Sequence, residues 1–156
     1  EGTTFAVSLP AADLPPPVVV SAAPPQARPA LHDRRVLYVE DNSVNAVLME
    51  AILDGEPGLA LKVACDGDEA ARMAEDWQPH LLLLDMQLPG TDGCSLLGRL
   101  RALPGLHDVP AVAVSADAMP EDIARARQAG FVDYWTKPLD VDSVIDGVTR
   151  RLAGVA

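Results

Sequence analysis

From Arg35 onward, short apolar runs alternate with segments in which apolar residues recur every three to four positions. The runs at 36–39, 59–64, 80–85, 111–115 and 132–136 have the length and flanks of strands. The segments between and after them, 43–53, 68–76, 95–103, 120–129 and 141–152, predict helices. Leu81-Leu82-Leu83-Leu84 is apolar without interruption, the pattern of a parallel strand covered on both faces. Boundary residues agree with the periodicity. Pro120 sits at a first helical turn, Gly130 follows a helix end, and Asp140 stands where an N-cap belongs. Five strand–helix repeats in this order predict an α/β fold: a five-stranded parallel sheet, helices on both faces, right-handed crossovers.

The stretch before Arg35 differs. Half of the 14 prolines fall there, among Ala, Val and Ser, and such a composition supports extended polyproline backbone rather than helix or central strand. Residues 11–34 therefore read as a linker and 35–156 as the folded unit. Ahead of the linker Phe5, Val7 and Leu9 alternate as in a half-buried strand. With nothing beside it to pair with, 1–10 reads as the last strand of an upstream domain.

Composition narrows the function classes. A formal charge of −11 opposes a nucleic-acid surface, which needs clustered Lys and Arg. The 2 cysteines, Cys65 and Cys94, form no CxxC, so neither a disulfide framework nor a zinc site is expected. No apolar run reaches the roughly 20 residues of a membrane span, which leads to the expectation of a cytoplasmic module without direct membrane contact.

The chemistry gathers at the strand ends. Glu40 and Asp41 close the first strand, Asp85 the third, Ser115 the fourth, and Lys137-Pro138 comes after the fifth. In an open parallel sheet these ends meet at one edge, where ligands bind. Carboxylates brought that close repel, and a divalent cation relieves the conflict; hard oxygen ligands suit Mg²⁺. Lys137 adds a compact positive charge, and Ser115 a hydroxyl donor. A carboxylate nucleophile with Mg²⁺, Lys and Ser is equipment for phosphoryl transfer.

Asp85 within LLLLDMQLPG, the pair Glu40-Asp41, Ser115-Ala116 and Thr136-Lys137-Pro138 together resemble the receiver domain of two-component response regulators. The resemblance runs from Arg35 to about Leu152 and implies a flavodoxin-like (βα)5 fold, doubly wound. It implies that Asp85 accepts a phosphoryl group from a phosphohistidine on a histidine kinase or histidine phosphotransfer domain. It further implies that Asp41, Asp85 and the backbone carbonyl of Gln87 ligate Mg²⁺ directly and Glu40 through water. Ser115 and Lys137 would hold the phosphoryl oxygens, and the chain would catalyse its own phosphorylation and dephosphorylation. Tyr134, three residues before Lys137, would move inward with Ser115 in switching. The string Glu40-Asp41-Asn42-Ser43-Val44-Asn45 is most similar to receivers of hybrid sensor histidine kinases, and 2–10 resembles the closing strand of a kinase ATP-binding domain. On that reading the parent is a hybrid kinase, which could tether the module to a membrane.

Two competing classes are weaker. An aspartyl-phosphate hydrolase of the haloacid-dehalogenase type needs a second Asp two residues after the nucleophile, where this chain has Gln87. A pseudo-receiver acting only as an interaction module loses acidic or Lys positions that are retained here. Neither GxGxxG nor a P-loop occurs. On the helix at 43–53, Val44, Val47, Leu48, Ala51 and Ile52 fall on one side, the apolar stripe, at least about 100° wide, that predicts the core face. Met49 and Leu53 fall outside it, and with Pro138 they form the partner surface that the receiver resemblance implies.

Overall fold

A computed structural model describes residues 31–154. Its main sheet is parallel, with strands β1 (Arg34–Val39), β2 (Leu59–Ala64), β3 (Leu81–Asp85), β6 (Ala111–Ser115) and β7 (Asp133–Thr136) in the order β2-β1-β3-β6-β7. A two-stranded antiparallel ribbon, β4 (Gln87–Leu88) with β5 (Thr91–Asp92), comes directly after β3. Five helices complete the chain order: α1 (Ser43–Leu53), α2 (Gly67–Trp77), α3 (Gly93–Arg101), α4 (Pro120–Ala129) and α5 (Val141–Ala153).

Strand side chains alternate between faces, so the sheet separates two cores. Leu37, Val39, Leu82, Leu84 and Ala113 pack with residues of α2, α3 and α4. Val36, Tyr38, Leu81, Leu83 and Val114 pack with Met49 and Leu53 of α1 and Val144 and Val148 of α5. Every residue of β3 and β6 is buried, the state expected of central parallel strands covered on both sides.

The helix starts obey local chemistry. Asp66 caps α2 through the amides of Asp68 and Glu69, Asp92 caps α3 through Cys94 and Ser95, and Asp140 caps α5 through Ser143. Pro120 opens α4, and Gly130, at φ 101°, ends it in the left-handed conformation that costs glycine least. The predicted ranges agree with these elements to within two residues, apart from the ribbon, whose Leu88-Pro89-Gly90 reads from sequence as a turn alone.

The folded unit begins earlier than the expected boundary at 35. Leu31 is buried in the α1/α5 core, and β1 starts at Arg34. A Cβ on Gly58 would stand 1.8 Å from the Leu31 carbonyl oxygen, so the incoming chain lies directly on that turn. An aliphatic side chain that finds a core overrides the proline-rich composition around it. The expected strand at 1–10 and most of the linker lie outside the described residues.

Candidate functional site

The chain steps from β1 outward to β2 and then back across β1 to β3, so β1 and β3 are neighbours whose connections depart in opposite directions. Such a switch point opens a crevice at the carboxyl ends of the strands. Glu40 and Asp41 stand directly beyond β1, and Asp85 is the last residue of β3. One ligand oxygen from each of these three lies within 4.8 Å of the others. Glu40 and Asp85 are buried, whereas Asp41 is exposed toward solvent.

Lys137 enters from the loop after β7. Its Nζ donates to Asp85 Oδ2 at 2.5 Å and to Glu40 Oε2 at 2.6 Å, bridging the acids of β1 and β3. The peptide bond between Lys137 and Pro138 is cis, and Pro138 is exposed. The Lys137 amide donates to the Ser115 carbonyl at 2.8 Å, which ties this loop to the end of β6. Ser115 is 2% exposed, and its Oγ accepts from the Asp117 amide at 3.2 Å. The Gln87 amide donates to Asp85 Oδ1 at 2.8 Å. Helix α3 closes the floor: a Cβ on Gly93 would lie 2.7 Å from the Asp85 carbonyl oxygen, so no larger residue fits without moving the strand end.

The electrostatics derive from burial and donors. Burial pushes the Asp85 carboxyl upward, and Lys137 and the Gln87 amide offset this only in part, so it lies above its ordinary value. Burial acts on Glu40 in the same sense, but donors from Lys137, Tyr38 and Asn45 together outweigh it and hold Glu40 low. Burial pulls Lys137 down, while Asp85 and Glu40 raise it by more, so it remains a cation. Close carboxylates pushed in opposite directions beside one lysine are the kind of perturbation that gathers at functional sites.

Four residues enter that sequence patterning did not single out. Tyr38, fully buried, donates its hydroxyl to Glu40 Oε2 at 2.5 Å. Burial first, and then Glu40, keep this phenol protonated. Asn45 Nδ2 and the Asn42 amide donate to the other oxygen, Oε1, at 3.0 and 3.3 Å. Asp117 joins the loops at the mouth, receiving Gln87 Nε2 at 2.9 Å on its side chain and the Tyr134 hydroxyl at 2.7 Å on its carbonyl. A signal for Tyr38 was present, because residues two apart on a strand share a face and Glu40 is two beyond it.

The surface assigned to α1 needs correction. Met49 and Leu53 are buried, at 0% and 2% exposure, and form part of the α1/α5 core. Val44, Val47 and Leu48 are exposed at 73%, 62% and 44%. Of the arc expected to face the core, Ile52 alone is buried. The helix is apolar almost all round, so hydrophobicity alone does not fix its rotation. Asn45, reaching Glu40, turns 45, 49 and 52 inward together.

The profile of the family described as "Response regulator receiver domain" matches residues 36–149. The polar-differentiation response regulator DivK of Brucella anthropi is 32% identical over 119 residues, spanning 76% of this chain and 96% of that protein. A solved receiver domain of the sensor histidine kinase PA1611 of Pseudomonas aeruginosa, with a magnesium ion coordinated in its active-site cleft, is 33% identical. The match covers 78% of this chain and 98% of that one, with a TM-score of 0.70. The receiver domain of the Francisella response regulator 1452 is 28% identical, covering 79% of this chain and 99% of the other, at a TM-score of 0.71. The doubly wound sheet with acids and lysine at its switch point is a phosphorelay receiver architecture. The chain belongs to the response-regulator receiver family.

Proposed function

We propose that Asp85 is the phosphoacceptor of a Mg²⁺-dependent phosphorelay step. The observation that carries this is the bridge from Lys137 to both Glu40 and Asp85, within a cluster whose three carboxylates approach to 4.8 Å. An Asp85 carboxylate oxygen attacks the phosphorus of a phosphohistidine. The N–P bond breaks, the imidazole nitrogen keeps the electron pair and takes a proton, and an acyl phosphate forms on Asp85. Water attack at phosphorus later returns the carboxylate and inorganic phosphate.

The donor set fits a small hard cation: carboxylate oxygens, one of them exposed enough to leave room for retained waters. Asp41, Asp85 and the Gln87 carbonyl would hold Mg²⁺ and Glu40 would act through water. A cation held there would supply charge neutralisation and alignment for the phosphoryl oxygens. Lys137, already a cation beside Asp85, exchanges a carboxylate for a phosphoryl oxygen as charge builds. Ser115 donates its hydroxyl from the β6 side.

The partner is a histidine kinase or histidine phosphotransfer domain, docking beside the crevice on the exposed apolar face of α1, Val44, Val47 and Leu48, with Pro138 at its rim. On the same proposal the receiver acts on the cytoplasmic side, as part of a hybrid kinase. Among the described residues no helix is long and apolar enough to cross a membrane. Incubation with Mg²⁺ and acetyl phosphate, with intact mass as the readout, is the test. One added phosphoryl group, lost with EDTA and in Asp85→Asn, is expected; an unchanged mass would favour a phosphorylation-independent interaction module.

A further inference from the structure

Glu40 is the most fully occupied side chain of the site. Oε2 accepts from Tyr38 and Lys137, and Oε1 from Asn45 and the Asn42 amide. A carboxylate offers about four acceptor positions, and all are taken. Direct coordination of a metal by Glu40 would therefore displace a donor. Three of these donors come from the rim of the crevice. Tyr38 alone rises from the core, its ring immobilised among the α1 and α5 side chains.

We infer that Tyr38 is a positioning residue for the metal site: its hydroxyl fixes Glu40 in an outer layer, so that Asp41 and Asp85 are left to coordinate the cation and Lys137 is kept at the edge between Glu40 and Asp85. This rests on the proposed Mg²⁺ reading and extends it below the crevice. Removing the hydroxyl leaves a buried Glu40 oxygen held by Lys137 alone. The carboxylate can then rotate toward the acids, compete for the cation's waters, and draw Lys137 away from Asp85. Partners that orient a metal's ligands typically set its affinity by about 10-fold or more. The bland alternative is a buried tyrosine that has merely found an acceptor, as buried tyrosines do.

A positioning role ties metal affinity to the hydroxyl; a packing role ties only stability to the ring. Mg²⁺ alone is titrated by calorimetry into the full chain, Tyr38→Phe, Tyr38→Leu, Glu40→Gln and the Tyr38→Phe/Glu40→Gln double variant, with melting temperatures recorded for each without metal. Tyr38→Phe keeps the ring and Tyr38→Leu does not, yet both are expected to weaken Mg²⁺ by about 10-fold. In the Glu40→Gln background the Tyr38→Phe effect should fall below about twofold, the signature of two residues acting as one unit. The inference is overturned if Tyr38→Phe binds Mg²⁺ as the unsubstituted chain does, if affinity loss tracks the melting temperature across the two variants, or if the effect persists without the Glu40 charge. Failure of the unsubstituted chain to bind Mg²⁺ would overturn the metal reading itself, and this inference with it.

Discussion

At the scale of single residues the site trades stability for chemistry. Asp85 sits 5% exposed beside Glu40, and its carboxyl is raised above the ordinary value of 3.8. Between that value and the raised one the folded chain holds a proton that the unfolded chain has released. Stability therefore falls as pH rises through this interval. Asp85→Asn removes the ionised group while keeping a hydrogen-bond acceptor for Lys137. The melting temperature of this variant at pH 7.5 without metal should exceed that of the parent by roughly 2–5 °C. The gap should narrow toward pH 4, and added Mg²⁺ should raise only the parent. Calorimetric scans at two pH values check all three statements; an unstable Asp85→Asn variant would mean that the Lys137 pair outweighs the burial of Asp85.

At the scale of elements, strands were more legible than helices. A parallel strand buried on both faces must be a continuous apolar run, so β3 and β6 stand out from their surroundings. Their terminal Asp85 and Ser115 are equally plain, because a polar residue ending such a run is a departure from it. Tyr38 was easy to overlook for the converse reason, despite its two-residue spacing to Glu40: an aromatic inside a strand looks like core, and it is core apart from one atom. The rotation of α1 was illegible because Val, Leu, Met and Ala occupy both candidate faces, and a tertiary contact through Asn45 decides between them. The consequence is measurable. Val47→Glu and Leu48→Glu place charge on exposed positions and should change stability by no more than about 0.5 kcal/mol. Each should slow phosphoryl transfer from a histidine phosphotransfer domain severalfold and leave the acetyl phosphate reaction unchanged. Met49→Glu, by contrast, would bury an unpaired charge and unfold the domain, so it carries no information about docking.

At the scale of the whole molecule, the question is how an event at Asp85 reaches a distant face. Asp117 is the junction. It is tied to Ser115 through its amide, to Gln87 through its carboxylate, and to Tyr134 through its carbonyl. Tyr134 lies on β7 opposite Ala113, on the strand that α4 and α5 flank. If, on the proposed reading, Ser115 turns toward a phosphoryl oxygen, it would give up the Asp117 amide, and the loop holding the Tyr134 hydroxyl would lose one of its three ties. Two packings would then differ by contacts that a phosphoryl group biases, which is the condition for a population shift. Tyr134→Phe removes the outward tie without emptying the space that the ring fills. A neutral hydrogen bond is worth about 1 kcal/mol net, so the inward packing should gain about fivefold in relative population before any phosphate arrives. Trp135, next along β7 and packed against α5 at Gly147, is a built-in reporter of that face. Titration with beryllofluoride, a phosphoryl mimic for carboxylates, should reach its fluorescence midpoint at a severalfold lower concentration in Tyr134→Phe than in the parent. An unchanged midpoint would place the switch elsewhere, because the Asp117 carbonyl would then be holding Tyr134 equally well in both packings.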